Sequence, residues 1–202
     1  VLRCAITDRT IFPGNEEERI TALVQQAVRW SDQLIEIIQI REKDLPAPDV
    51  ADIARRILRA TSPARSIVLV NSCIEAAIGA RAHGVHISSH RGAISLEEVR
   101  RRYAAAGLPH PIITVSCHSL EEIQRAIAST PDAILFAPVF GKVVAGKSVS
   151  PATGLKALRE ACRTANPIPV LALGGVTLGR AKMCIEAGAA GVAGIRIFHD
   201  YG

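Results

Sequence analysis

Leu171-Ala-Leu-Gly-Gly-Val176, followed by Gly188-Ala-Ala-Gly-Val-Ala-Gly194, is the stretch that decides the fold. An apolar run ends in Gly174-Gly175, a helix-length segment follows, and a second apolar run ends in glycine. Glycines let backbone N–H groups approach an anion closely, and the start of the following helix adds a favourable dipole. The last two strand–loop units of a (β/α)8 barrel are commonly built this way around a phosphate. A lone Gly-Gly after a strand carries little weight. Two such units in tandem, closing an alternating chain, point to a small phosphorylated ligand.

Working back from that end, apolar β-rich runs alternate with amphipathic ones throughout. The pattern predicts strands over residues 3–7, 34–40, 66–71, 84–87, 111–116, 133–137, 169–173 and 191–195. Helices are predicted over 16–30, 48–60, 74–82, 95–106, 120–129, 153–164 and 178–187. Ser95 with Glu98 and Ser119 with Glu122 have the spacing of helix caps. Eight strands and seven intervening helices in strict alternation favour a TIM barrel over a doubly wound sheet. No linker, composition shift or low-complexity segment divides the chain, so residues 1–202 read as one α/β domain. An eighth helix would have to fit after Phe198, and is therefore short or missing.

The composition agrees. Apolar residues make up 49% of the chain but aromatics only 3%, so the core rests on Ala, Val, Ile and Leu. Such a core suits buried parallel strands under Ala-rich helices. No apolar run approaches the roughly 20 residues of a membrane span, and no signal-peptide pattern opens the chain. Cys4, Cys73, Cys117, Cys162 and Cys184 are odd in number and never in a CxxC arrangement. They read as reduced thiols of a cytoplasmic protein, not as a disulfide frame or a zinc site. The net charge of +5 is spread along the chain, with few aromatics for base stacking. Nucleic acid is thereby disfavoured, and anionic small substrates account for the excess.

In such a barrel the chemistry gathers at the carboxyl ends of the strands, where Thr7-Asp8 is the first pair to consider. Gln39-Ile-Arg-Glu-Lys43 sets two cations at the end of the second strand. If Gln39, Arg41 and Lys43 alternate to one side, they converge on the barrel mouth and can hold phosphate or diphosphate. A solvated charge cluster is the alternative. Asn71 ends the third strand and either bonds a ligand or caps the next helix. His86 and His118 stand on adjacent loops, as packed residues or as acid–base groups. No HxH or HxxxH spacing accompanies them, which argues against a histidine metal site. Lys142 and Lys147 lie in a glycine-containing segment, 141–150, long enough to act as a lid over the sixth strand.

Taken in order, these pieces resemble the thiamine-phosphate synthase/TenI family along nearly the whole chain. The matching segments are Ala5-Ile-Thr-Asp8, Gln39-Ile-Arg-Glu-Lys43, Val70-Asn71, Gly84-Val-His86, Val115-Ser-Cys-His-Ser119, Phe136-Ala-Pro-Val-Phe140, Lys147, Ala172-Leu-Gly-Gly-Val176 and Gly188-Ala-Ala-Gly-Val-Ala193. The resemblance implies a TIM barrel. The synthase joins a pyrimidine diphosphate to a thiazole phosphate with loss of pyrophosphate and with Mg²⁺; the TenI branch is typified by a thiazole tautomerase. By the same resemblance, Gln39, Arg41, Lys43 and Asn71 form the pyrimidine-diphosphate cradle, and Ser116 lies near the reacting groups. Lys147 is the lid lysine. Gly174, Gly175, Gly194 and Ile195 give backbone donors to the thiazole phosphate.

The departures from the family pattern set the finer expectation. Two Asp ligands of the synthase's Mg²⁺ are here Ser72 and, by counting from Gly84, Arg91. A hydroxyl and a guanidinium cannot replace two carboxylates, and pyrophosphate is a poor leaving group without the metal. Yet the tautomerase's catalytic His stands where this chain has Pro138, as in the synthase, and Arg196 replaces a small residue beside the phosphate. The expectation is a TenI-like barrel that binds a thiazole phosphate or a similar phosphorylated heterocycle. His118 then shuttles the proton, with Ser116 or Cys117 assisting, and no metal or other cofactor takes part. An Mg²⁺-dependent synthase and a non-catalytic ligand-binding or regulatory paralogue are the rivals. Neither nucleic acid nor membrane is expected as a partner, and homo-oligomerisation stays open.

Overall fold

The computed structural model describes residues 1–61, 65–88, 94–144 and 147–199, the side chains of 142–150 excepted. Its strands are β1 (Leu2–Ile6), β2 (Ile37–Ile40), β3 (Ile67–Asn71), β4 (Gly84–Ser88), β5 (Ile112–Cys117), β6 (Ala133–Phe136), β7 (Lys142–Val144), β8 (Lys147–Ser150), β9 (Val170–Ala172) and β10 (Gly191–Gly194). The helices are α1 (Glu16–Asp32), α2 (Ala47–Ala60), α3 (Ile74–Ala80), α4 (Leu96–Ala105), α5 (Leu120–Ile127), α6 (Gly154–Ala165) and α7 (Leu178–Glu186), with a 3-10 turn at Arg9–Ile11.

Eight strands close into a parallel barrel in the order β1-β10-β9-β6-β5-β4-β3-β2. From Leu2 the paired residues run through Gly191, Leu171, Leu135 and Ser116 to Ser88. The other way round, Cys4 leads through Ile37 to Ile67, and Leu69 pairs with Gly84. Closing the circuit, from Ser88 down to Gly84, from Leu69 down to Ile67 and from Cys4 down to Leu2, offsets the register by about eight residues, the shear of a TIM barrel. The expected architecture is therefore present.

Strand side chains alternate between two apolar layers. Cys4, Ile6, Ile37, Leu69, Leu135, Leu171 and Ala193 fill the barrel. Ile38, Ile40, Val68, Val70, Val85, Ile113, Val115, Ile134 and Phe136 face the helices, where they meet Trp30 and Tyr103. Burial on both faces explains why these strands read as unbroken Val/Ile runs. Both expected caps form: Ser95 Oγ accepts the Glu98 N–H and Ser119 Oγ the Glu122 N–H, each at 3.2 Å.

Two readings are corrected, and a third, an eighth helix short or missing after Phe198, holds among the described residues. The second strand begins at Ile37, not at residue 34, because α1 ends in a Schellman turn. Leu34 sits at φ 60°, with Ile35 N–H on Trp30 O and Leu34 N–H on Ser31 O. The expected lid segment contains the antiparallel pair β7–β8. After β10, in place of an eighth helix among the described residues, the chain packs on α1. Trp30 Nε1 donates to Phe198 O at 2.7 Å, and the His199 ring stands edge-on to Trp30. No helix among the described residues is long and apolar enough to cross a membrane.

Candidate functional site

Above the apolar filling of the barrel lies a polar layer whose members follow from register. Gln39 pairs with Ile6 and Leu69, both inward-facing, so it too faces in; Asn71 follows two residues after Leu69. His86 pairs with Asn71 and Thr114, and Ser116 with the inward-facing Leu135. Strand alternation thus sets Gln39, Asn71, His86, Thr114 and Ser116 around the mouth.

Gln39 Nε2 donates to Asn71 Oδ1 at 3.1 Å. Asn71 does not cap the next helix: α3 is entered at Cys73 without a side-chain cap, and Asn71 faces the mouth. β2 ends at Ile40, so Arg41 and Lys43 stand on a loop whose path other contacts fix. The Arg41 N–H donates to Thr7 Oγ1 at 2.9 Å, and the Thr7 hydroxyl donates to Glu42 Oε1 at 2.6 Å. Glu42 Oε2 also accepts the Arg9 N–H and guanidinium, each at 3.1 Å. Arg9 reaches Asp44 through both terminal nitrogens, at 2.8 and 2.6 Å. Both nearby carboxylates are therefore committed to Arg9, and Lys43 stands exposed. Lys43, Glu42, Asn71 and Ser72 line a cavity of about 330 Å³.

His86 Nδ1 bonds Thr114 Oγ1 at 2.8 Å. Burial, helped by the charge of Arg41, pushes the imidazole down to about 4, so it is neutral at pH 7. His118 is more exposed, at the end of β5. Its Nδ1 lies 2.8 Å from the Ala137 carbonyl oxygen, which can only accept. Nδ1 is therefore the donor in this contact. Ser116 is on the inner face of the same strand. Cys117 is one residue out of phase and lies in the layer between barrel and helices. It is too far round the strand to assist at the mouth.

Gly174 and Gly175 take φ of 91° and 66°. A Cβ on Gly174 would stand 2.7 Å from Pro138 Cα, and one on Gly175 2.5 Å from the Phe140 oxygen. Only glycine fits both the conformation and the space. The Phe140 N–H donates to Gly174 O at 2.9 Å, fastening the loop to the chain after β6. Val192 pairs with Ala172, which brings Gly194 and Ile195 alongside Gly174 and Gly175 at the barrel top. Arg196 is exposed. Lys147 lies in β8, but its side chain, like that of Lys142, is outside the described residues, as is Arg91 altogether.

In the cavity beside Asn71, Mg²⁺ finds no free carboxylate among the described residues that line it. Ser72 offers a hydroxyl, and the Glu42 carboxylate in the same cavity has both oxygens taken by Thr7 and Arg9. No cluster of three or more His, Cys, Asp or Glu stands together among those residues. A hard dication needs free carboxylate oxygen here. The donor set does not fit.

Reading by strand ends brought together Gln39, Arg41, Asn71, His86 and Ser116, but did not anticipate the Thr7–Glu42–Arg9 network or Arg180. Thr7 was visible as a strand-end residue. Arg9 lies 33 residues from Glu42, and nothing local announces that pairing. Arg180, on α7, donates to Gly175 O at 3.0 Å and lies over the Phe140 ring, 4.8 Å from its centroid.

Comparison with known proteins accords with this geometry. Residues 4–198 match the family model described as thiamine monophosphate synthase. The thiamine-phosphate synthase of Roseiflexus sp. (strain RS-1) is 34% identical, covering 93% of this chain and 74% of the relative. That of Methanoculleus marisnigri is 33% identical over 93% of this chain and 82% of its own. Among solved structures, the thiamine phosphate pyrophosphorylase from Pyrococcus furiosus superposes with a TM-score of 0.77 at 24% identity. The match covers 96% of this chain and 85% of that one, and bears on the fold.

Proposed function

The chain belongs to the thiamine monophosphate synthase family, and from that premise we propose that it binds a thiazole phosphate and acts on it as a TenI-type tautomerase. The observation that carries the reading is His118, whose Nδ1–H is spent on the Ala137 carbonyl, so that Nε2 is the ring nitrogen left to exchange a proton with a ligand. The phosphate is held by the N–H groups of Gly174, Gly175, Gly194 and Ile195. Nε2 takes a proton from one end of the migrating double bond, the electron pair shifts along the ring, and the imidazolium returns the proton at the other end. No bond to a leaving group breaks and nothing is oxidised, so the step needs no metal. The buried, neutral His86 and the Gln39–Asn71 pair fix the ring face.

A second reading has one specific support. Gln39, Arg41, Lys43 and Asn71 match the synthase's pyrimidine-diphosphate cradle, and the relatives carry the synthase's name. One experiment separates the readings. The protein is given the thiazole phosphate alone in D2O, followed by NMR, and then with the pyrimidine diphosphate, with and without Mg²⁺. A double-bond shift with deuterium uptake supports the tautomerase. Condensation abolished by EDTA establishes the synthase instead. Binding without either reaction leaves a ligand-binding paralogue.

A further inference from the structure

Two consecutive carbonyls of the glycine loop are tied back by groups outside the barrel mouth. Gly174 O accepts the Phe140 N–H at 2.9 Å, and Gly175 O accepts Arg180 Nη1 at 3.0 Å. Across a trans peptide the carbonyl and the following N–H point in opposite directions. Fixing Gly174 O toward Phe140 therefore turns the Gly175 N–H away from it. Fixing Gly175 O toward α7 likewise turns the Val176 N–H to the opposite side. Each N–H turned away from the partner of its own carbonyl is a donor that an anion beside the loop can use. The glycines accept their positive φ values, but such a peptide is free to rotate unless something holds its oxygen.

Arg180 is also misplaced for any purpose of the helix. It is the third residue of α7, a first turn without an acidic residue, where the dipole disfavours a cation. Its guanidinium lies over Phe140, two residues before β7, so a single side chain joins the glycine loop to the root of the β7–β8 hairpin.

We propose that Arg180 is a positioning residue for the phosphate site: it holds the Gly175–Val176 peptide so that the Val176 N–H faces the ligand, and it couples that peptide to the hairpin root through Phe140. The proposal rests on the phosphate reading given above. It does not need Arg180 to touch the ligand.

The test compares Arg180→Ala, Arg180→Lys and Phe140→Leu with the parent protein. Calorimetry measures affinity for the thiazole phosphate and for inorganic phosphate, and ¹H–¹⁵N spectra follow the Gly175 and Val176 amides. A hydrogen bond and a cation–π contact of ordinary strength imply a five- to tenfold loss, roughly, for Arg180→Ala and about half of that loss on a logarithmic scale for Phe140→Leu. Arg180→Lys keeps the charge but not the fork or the stacking, and should fall with Arg180→Ala. The melting temperature should not drop, because the helix loses an unfavourable first-turn cation. Unchanged affinity in Arg180→Ala, or full retention in Arg180→Lys, overturns the proposal, the latter because bulk charge would then suffice. If the parent binds neither probe, or binds one without shifting the Gly175 and Val176 amides, the phosphate reading itself fails and takes the proposal with it.

Discussion

Arg9 and Glu42 form an ion pair at 3.1 Å with both side chains withdrawn from water, joining the turn after β1 to the loop after β2. Breaking a buried pair strands the remaining charge, at a cost near 3 kcal/mol. Glu42→Ala is therefore expected to lower unfolding free energy by about 3 kcal/mol in urea titration. Arg9→Met should cost less when combined with Glu42→Ala than the sum of the two, and a double-mutant cycle reads that coupling. Additive effects would mean that Asp44 and Glu16 alone satisfy Arg9.

His86 makes the fold acid-sensitive. Its folded value is depressed to about 4 from the ordinary 6.5, so between these values the unfolded chain binds the proton more readily. Stability is fully present above pH 6.5, declines as pH falls through this window, and stops declining on this account below about 4. The full loss is on the order of 3 kcal/mol. Arg41, whose charge opposes protonation, and Thr114, which bonds the ring, face the group. Urea titrations from pH 8 to 4 should show this slope in the parent and a flatter one in His86→Asn. Asp44 acts in the same sense further down. Its bonds to Arg9 hold it at about 2, so its stabilisation is lost as pH falls from the ordinary value of 3.8 toward 2.

Leu34→Gly should stabilise the protein by about 0.5–1 kcal/mol, read as a higher melting temperature. The residue sits at φ 60° and is 55% exposed, so glycine relieves backbone strain at little cost in buried area. A drop in melting temperature would show that Leu34 packs more than its exposure indicates. The same residue explains why the second strand was placed too early in the sequence. A leucine beside Ile35 continues an apolar run, and only the helix stop before it, invisible in composition, moves it out of the strand.

The inward set Gln39, Asn71, His86 and Ser116 was legible because strand alternation is a property of the chain itself, and glycine pairs mark close approach wherever they stand. What escaped reading depends on distance. Arg9 finds Glu42 only once the barrel closes, and Arg180 finds Gly175 only once α7 has folded back on its own entry loop. Cys117 shows the opposite error: proximity in sequence to His118 suggested a shared task, whereas one step along a strand puts the thiol on the other face.

Millimolar Mg²⁺ should not strengthen binding of the pyrimidine diphosphate. The carboxylates near the cradle are occupied by Arg9, and Ser72 cannot take the place of an acidic ligand. Calorimetry with and without the metal decides. A tenfold gain, about 1.4 kcal/mol, would mean that Glu42 or Asp44 leaves Arg9 on binding.

His118→Ala is the decisive substitution for the proposed chemistry. The residue lies at the strand end, and its loss removes a bond to Ala137 but no buried packing, so the fold should persist. If Nε2 carries the proton, the rate of the double-bond shift falls roughly 10²–10⁴-fold. The affinity for the thiazole phosphate, which the proposal assigns to the glycine loops, should change little. Such a split between turnover and binding is what a proton carrier produces and what a merely structural histidine does not. His118→Asn refines the test, since its amide can still donate to Ala137 O but offers no basic nitrogen. Activity surviving in His118→Asn would reassign the proton to another group at the mouth, with the inward-facing Ser116 on the same strand the next to examine.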